Sequence, residues 1–252
     1  MPALDLPTAL PAPDARVEWV PRHATSVRLT LGRAQQGGAD PTQQRARDGA
    51  VWRTIRTPIG AAVARFDHVG DAVRCLAWGD GAEHVVATAP VLLGDRDDPS
   101  GFEPRHPYLE VAHRRHPGMR IAGSGDMLHG MVGAILEQRV ESLVAFTSWT
   151  RLVRRLGEPA PAPAPTGMRM FPTGAAWLGV EQGEWRAFDV DLGRATAIRW
   201  AAARERSLQR LVDDGRALAD VDRALRSLPG IGPWTSAEIR QRVLGDADAV
   251  SV

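Results

Sequence analysis

The sequence predicts an α+β protein, a small antiparallel β-sheet/α subdomain followed by a larger, mostly α-helical domain. Three observations carry this prediction. Between Val51 and Trp78, three short runs rich in β-branched and aromatic residues are separated by turn residues. From Asp126 onward, apolar residues recur at helical spacing. Near the end, Leu228-Pro229-Gly230-Ile231-Gly232-Pro233-Trp234-Thr235 joins two helical segments through a glycine-bent corner.

Taken in order, residues 1–15 are rich in Pro and Ala, lack periodicity, and read as a loose tail. Residues 16–112 form the β-rich subdomain and residues 113–252 the helical domain. Val17 to Val20 and Ser26 to Leu31 read as short strands. Gln35 to Asp48 is polar and reads as helix or loop. Val51 to Arg56, Ala61 to Phe66 and Ala72 to Trp78 are strands, parted by Pro58-Ile59-Gly60 and Gly79-Asp80-Gly81. Ala89 to Leu93 is a helical turn, and Asp95 to Pro107 a turn-rich connection. Tyr108 to Arg115 is helical. It ends in His113-Arg114-Arg115-His116, read as an exposed basic helix end, with a metal or phosphate site as the alternative.

Asp126 caps a helix that turns Leu128, Met131, Val132, Ile135 and Leu136 to one side. The next helix carries Leu143, Val144, Trp149, Leu152, Val153 and Leu156. Glu137-Gln138-Arg139 forms the polar corner between them. The alternating Pro and Ala of residues 159–165 make a stiff, extended loop. Thr173 caps the short helix Gly174 to Leu178. Ile198 to Val212 reads as one longer helix, with Arg199, Arg204, Arg206 and Arg210 on its solvated side. Asp220 to Leu228 and Pro233 to about Val243 flank the glycine corner.

Composition excludes several classes. A chain of 252 residues holds one large domain or two smaller ones. No run of about eighteen apolar residues exists to span a membrane. The N-terminus lacks a basic-then-apolar signal pattern, so the cytoplasm is the expected location. The single cysteine, Cys75, can form neither an internal disulfide nor a four-cysteine iron–sulfur cluster. All 31 basic residues are arginine, so no side-chain amine is present to form a Schiff base. Charge is only mildly asymmetric: residues 113–252 hold 19 Arg against 16 acidic residues, and residues 1–112 hold 12 against 14. That balance permits nucleic-acid binding through local patches without demanding it.

The corner itself is chemically specific. Two glycines two residues apart allow a tight reversal with positive φ. Pro233 fits the first turn of a helix, where its missing N–H costs nothing. Leu228 and Ile231 point inward, which leaves the amides of Gly230, Gly232 and the helix start facing out. Such an array at the positive end of a helix dipole is a phosphate site. A plain structural helix–helix corner is the alternative.

This corner, with His116-Pro117-Gly118-Met119-Arg120, Ala134-Ile135-Leu136-Glu137-Gln138 and Met170-Phe171-Pro172-Thr173 in the same order and spacing, resembles the helix-hairpin-helix DNA glycosylase superfamily. The likeness covers residues 116–252 and is nearest to the 3-methyladenine DNA glycosylase II (alkylbase) branch. The resemblance implies a base-excision enzyme acting on double-stranded DNA with a damaged base, which it flips out before cutting the glycosidic bond. Gly230, Ile231, Gly232 and Thr235 would grip the DNA backbone. Gln138 and Arg139 would fill the gap left by the extruded base, although the branch often has an apolar wedge where Arg139 stands. The carbonyls of Arg226, Leu228 and Ile231 would hold a monovalent cation, Na+ or K+, and no other cofactor is implied. Trp234 stands where bifunctional relatives carry their attacking lysine, which implies water attack without strand cleavage. Its ring and Glu238, one turn on, would line the base pocket. The family's catalytic aspartate would fall just beyond Val252, so the helical domain is expected to be cut short at its C-terminal end. Asp246 and Asp248 match only the approach to it, and Asp248 is the fallback. A monomer is expected. Two other readings stand beside this one: a non-catalytic DNA-binding or damage-sensing protein, and an 8-oxoguanine-type glycosylase, against which the missing lysine argues.

Overall fold

The computed structural model describes residues 10–252. Five strands form one fully antiparallel sheet: β1 (Ala15–Trp19), β2 (Gln43–Arg45), β3 (Val51–Arg56), β4 (Ala61–Val69) and β5 (Ala72–Trp78), in the order β1-β5-β4-β3-β2. Alternation along the strands divides the sheet's two faces. Phe66, Val73, Cys75 and Ala77 pack on one side with α1 (Val27–Arg33) and α2 (Ala82–Leu92). Trp52, Val63 and Trp78 face the other way, under Met168 and the alanines of the proline-rich loop. There the Trp52 and Trp78 rings stack at 5.4 Å between centroids.

Of the expected tail, residues 1–9 lie outside the described residues. Residues 10–15 are fastened to the sheet: Leu10 packs on its tryptophan face, and the Trp78 indole donates to the Pro11 and Ala12 carbonyls. Three other expectations require correction. Ser26 to Leu31 is not a strand. Ser26 accepts from the Leu29 amide as the cap of α1, and Val27, Thr30 and Leu31 are buried at helical spacing. The turn expected at Ala89 to Leu93 is the end of the eleven-residue α2, whose Ala82, Val85, Ala89 and Leu92 face the sheet. Pro90 sits in its last turn. The polar stretch Gln35 to Asp48 contains the edge strand β2, with Gln43 buried.

The helical part begins with α3 (Pro107–Arg115), which buries none of its residues. Then follow α4 (Met127–Leu136), α5 (Ser142–Leu156), α6 (Gly174–Leu178), α7 (Glu184–Ala187), α8 (Leu192–Ala203), α9 (Glu205–Asp213), α10 (Leu218–Arg226) and α11 (Pro233–Leu244). The expected single helix from Ile198 to Val212 is broken at Arg204 into α8 and α9. The amide of Arg204 closes α8 on Ala201, and its carbonyl starts α9. Helix α4 is the axis: all ten of its residues are buried, so its whole circumference is packed. Asp126 caps it through the His129 amide, and Thr173 caps α6 through Ala176, both as the sequence predicts. A file of rings, Trp149, Phe171, Trp177 and Trp185, runs through the core with centroids 5.5 to 6.3 Å apart.

The Asp126 cap has a titratable consequence. Burial pushes its carboxyl up to about 6, against the His129 amide and the Arg53 charge, which favour the ionised form. A carboxyl raised on folding contributes stability below its unfolded value, and that contribution is lost as pH rises through 6. Asp126→Asn keeps an oxygen for the cap and removes the titration. We expect this variant to gain on the wild type by about 1–3 kcal/mol between pH 4 and pH 8. Paired thermal melts across that range check it, and a pH-independent difference refutes it.

Candidate nucleic-acid interface

The hairpin between α10 and α11 is built from local rules. Val221 and Leu225 bury one face of α10, and Ile239 and Val243 bury the inner face of α11. Ser236 Oγ donates to Asp222 Oδ1 at 2.7 Å and fixes the two helices together. Between them Gly230 adopts φ +81°, a conformation that L side chains resist. The Ile231 amide donates back to the Leu228 carbonyl at 3.2 Å, and Ile231 is buried. Pro233 occupies the first position of α11, and the preceding Gly232 supplies no side-chain cap. Among the described residues, the amides of Gly230, Gly232, Trp234 and Thr235 donate to no other group. Both glycines are exposed.

The corner after α4 meets this hairpin. Gln138 Nε2 donates to the Gly230 carbonyl at 2.8 Å and to Thr235 Oγ1 at 2.9 Å. Arg139 follows, exposed, at φ +57°. Sequence spacing brings Gln138 and Arg139 to the corner but does not reveal that Gln138 spans to the hairpin.

Trp234 is half-buried on the first turn of α11, and Glu238 lies one turn on, on the same face. Glu238 is occupied. It accepts from Arg242 Nη2 at 2.7 Å and from Ser251 Oγ at 2.6 Å. Arg242 also holds Glu137 through two hydrogen bonds, at 3.1 and 2.7 Å. With its amide turned to satisfy both partners, Gln36 donates to Glu137 at 2.8 Å and accepts from Arg242 at 3.0 Å. Gln36 and Arg242 are the residues that sequence reasoning missed. The Arg242–Glu238 pair is local, but the link of both residues to Glu137 carries no local signal, because Glu137 lies about a hundred residues from each. Asp246 is buried and paired with Arg240. Asp248 is exposed and pairs with no described residue.

The carbonyls of Arg226, Leu228 and Ile231 belong to the same hairpin. Leu228 O accepts one hydrogen bond, from Ile231 N, while Arg226 O and Ile231 O accept none from the turns and loops among the described residues. Neutral carbonyl oxygens with free lone pairs fit a monovalent cation. Elsewhere, no group of three or more His, Cys, Asp or Glu able to hold a metal occurs among the described residues. The His113–His116 segment is the exposed end of α3. Arg114 pairs there with Glu110, and the His113 ring lies against Phe102. No helix among the described residues is long and apolar enough to cross a membrane.

No family model matches the chain. Two strains of Mycobacterium tuberculosis have a curated relative named probable bifunctional transcriptional activator/DNA repair enzyme AlkA. It is 33% identical over 227 residues, which is 84% of this chain and 43% of the relative. The chain thus spans less than half the length of these curated relatives. A 3-methyladenine DNA glycosylase from Archaeoglobus fulgidus superposes with a TM-score of 0.74, at 20% identity, over 92% of this chain and 80% of that one. An 8-oxoguanine glycosylase/lyase from Clostridium acetobutylicum superposes with a TM-score of 0.71, at 12% identity, over 99% and 84%. At these identities the superpositions speak for the fold. The sequence likeness and the hairpin agree with them. The chain has the fold of these DNA glycosylases, and over 84% of its length it is similar in sequence to a relative named as a DNA repair enzyme.

Proposed function

We propose that this protein is a monofunctional DNA glycosylase of the alkylbase type. The observation that carries the proposal is the exposed hairpin, whose Gly230, Gly232, Trp234 and Thr235 amides have no partner among the described residues and which leads into Trp234 on the first turn of α11. Backbone amides at a helix start bind a phosphate of the DNA strand. A cation on the carbonyls of Arg226, Leu228 and Ile231 would add positive charge beside that phosphate. Arg139 enters the minor groove as the base leaves. The indole of Trp234 receives the extruded base, and a cationic, alkylated ring gains most from it. A chain without lysine offers no side-chain amine to the sugar, so water is the nucleophile and the strand is left intact.

Water attack on a glycosidic carbon is assisted by a carboxylate. Glu238 and Asp246 are already paired to arginines, and Asp248 stands in solvent. We assign the assisting role to none of them. The alternative reading is a damage-binding protein that does not cleave.

The test is incubation of the full-length protein with methylated duplex DNA. Strand breaks that appear only after alkali support the proposal. Breaks made by the protein alone, or a complex trapped by borohydride, exclude the water mechanism. Tight binding to methylated duplex without base release selects the second reading.

A further inference from the structure

Three consecutive residues at the end of α4 are each clamped to a different piece of the helical core. The Leu136 carbonyl accepts from Arg194 Nη1 of α8 at 2.9 Å. Arg194 is itself buried and held by Asp191 and the Asp189 carbonyl. Glu137 is held by two hydrogen bonds from Arg242 of α11. Gln138 spans to both sides of the hairpin, one bond to Gly230 and one to Thr235. Arg139 is the first residue beyond the clamp. It alone stands exposed, and its φ of +57° is one that L side chains adopt rarely. Such a conformation persists where the surroundings over-determine it.

We infer that Gln138 is a positioning residue that couples the hairpin's phosphate grip to insertion of Arg139, and that it does not itself read the DNA. Its amide can serve one master at a time. Both of its protons are given to the hairpin, one to the Gly230 carbonyl in the turn and one to Thr235 Oγ1 in the first turn of α11. One acceptor is the carbonyl of Gly230, whose own amide is open for the strand. Closing of the hairpin on a phosphate is thereby transmitted to the residue that precedes Arg139. The inference rests on the glycosylase reading above and adds to it a mechanical link between two contacts otherwise regarded as independent.

Gln138→Leu keeps the side chain's bulk and removes both donors, and Thr235→Val removes one acceptor only. Two quantities are measured on full-length protein: affinity for an undamaged duplex, and affinity for a duplex with a tetrahydrofuran abasic site beside 2-aminopurine, whose fluorescence reports insertion. We expect Gln138→Leu to bind undamaged duplex within about 2-fold of wild type. It should bind the abasic duplex about 10-fold more weakly, with most of the fluorescence rise gone. Thr235→Val should lower the abasic affinity and the fluorescence rise in the same direction at smaller amplitude, and Thr235→Ser should restore both. The double variant Gln138→Leu/Arg139→Ala should be no weaker than Arg139→Ala alone, because a positioning residue has nothing left to position. Additive losses in that cycle would show that Gln138 touches DNA on its own account and overturn the inference. An equal loss on both duplexes would show a role confined to the phosphate grip, and overturns it too. A wild-type protein without preference for the abasic duplex instead overturns the glycosylase reading on which the inference stands.

Discussion

Trp234→Ala is expected to lower the rate of release of a cationic alkylated base by about 100-fold. Stacking of a base on an aromatic ring contributes about 1–3 kcal/mol, and a cation over the ring adds about 0.5–2 kcal/mol. Together these reach about 3 kcal/mol at mid-range, or two powers of ten. The indole is half-buried on the first turn of α11, so its removal leaves no sealed cavity in the core. Affinity for undamaged duplex should stay within about 2-fold, because the hairpin amides belong to the backbone. Single-turnover release of 7-methylguanine, set against release of neutral hypoxanthine, separates the two contributions. The neutral base loses only the stacking part and should fall less. An equal fall for both bases would show that charge plays no part at Trp234. No fall for either would remove the indole from the base pocket.

Much of the hairpin was legible in the sequence because its geometry is local. Gly230 alone takes the expected positive φ, whereas Gly232 is extended at φ −90° ahead of α11; Pro233 starts the helix, and Leu228 and Ile231 face in, each by a rule that operates within a few residues. Asp126 and Thr173 were readable as caps for the same reason. Strands β3 and β5 fall at the predicted bounds because turn residues bracket them. Six residues from Ser26 do not distinguish a period of 2 from one of 3.6, so α1 was read as a strand. In α2, Pro90 concealed a helix that begins eight residues earlier. The long-range contacts were not legible at all. Gln138 was expected to face the groove, yet its amide is spent on a loop 92 residues further on. Glu238 was expected to line a pocket, yet its charge is met by Arg242 and by Ser251. Polar residues carry no periodicity that reveals which distant partner they will meet.

Asp40 is the extreme case, and its replacement carries the largest expected cost in stability. It lies in a stretch that reads from sequence as polar helix or loop, but only 1% of its surface is exposed. Its Oδ1 accepts from the Thr42 amide, the Thr42 hydroxyl and the Trp149 indole, at 2.9, 2.8 and 2.9 Å. Its Oδ2 accepts from the Gln36 amide at 2.8 Å. The carboxylate therefore joins the segment before β2 to the aromatic file of the helical core. It also faces the fully buried Arg53, whose charge is disfavoured by burial and supported by Asp40. Asp40→Ala strands four donors and leaves Arg53 with less compensation, which we expect to cost about 4 kcal/mol. In a chain of this length that is about 10 °C in melting temperature. Asp40→Asn retains an acceptor for some of these donors and should cost about half as much. Urea unfolding followed by tryptophan fluorescence measures both, and a loss below 1 kcal/mol for Asp40→Ala would disprove the anchoring role. The effect should also reach the side proposed to face DNA. Gln36 is positioned by Asp40 and meets Glu137 and Arg242, which hold the end of α4 beneath Arg139. A destabilised Asp40 variant that still folds at low temperature should therefore bind abasic duplex less well than its folded fraction accounts for.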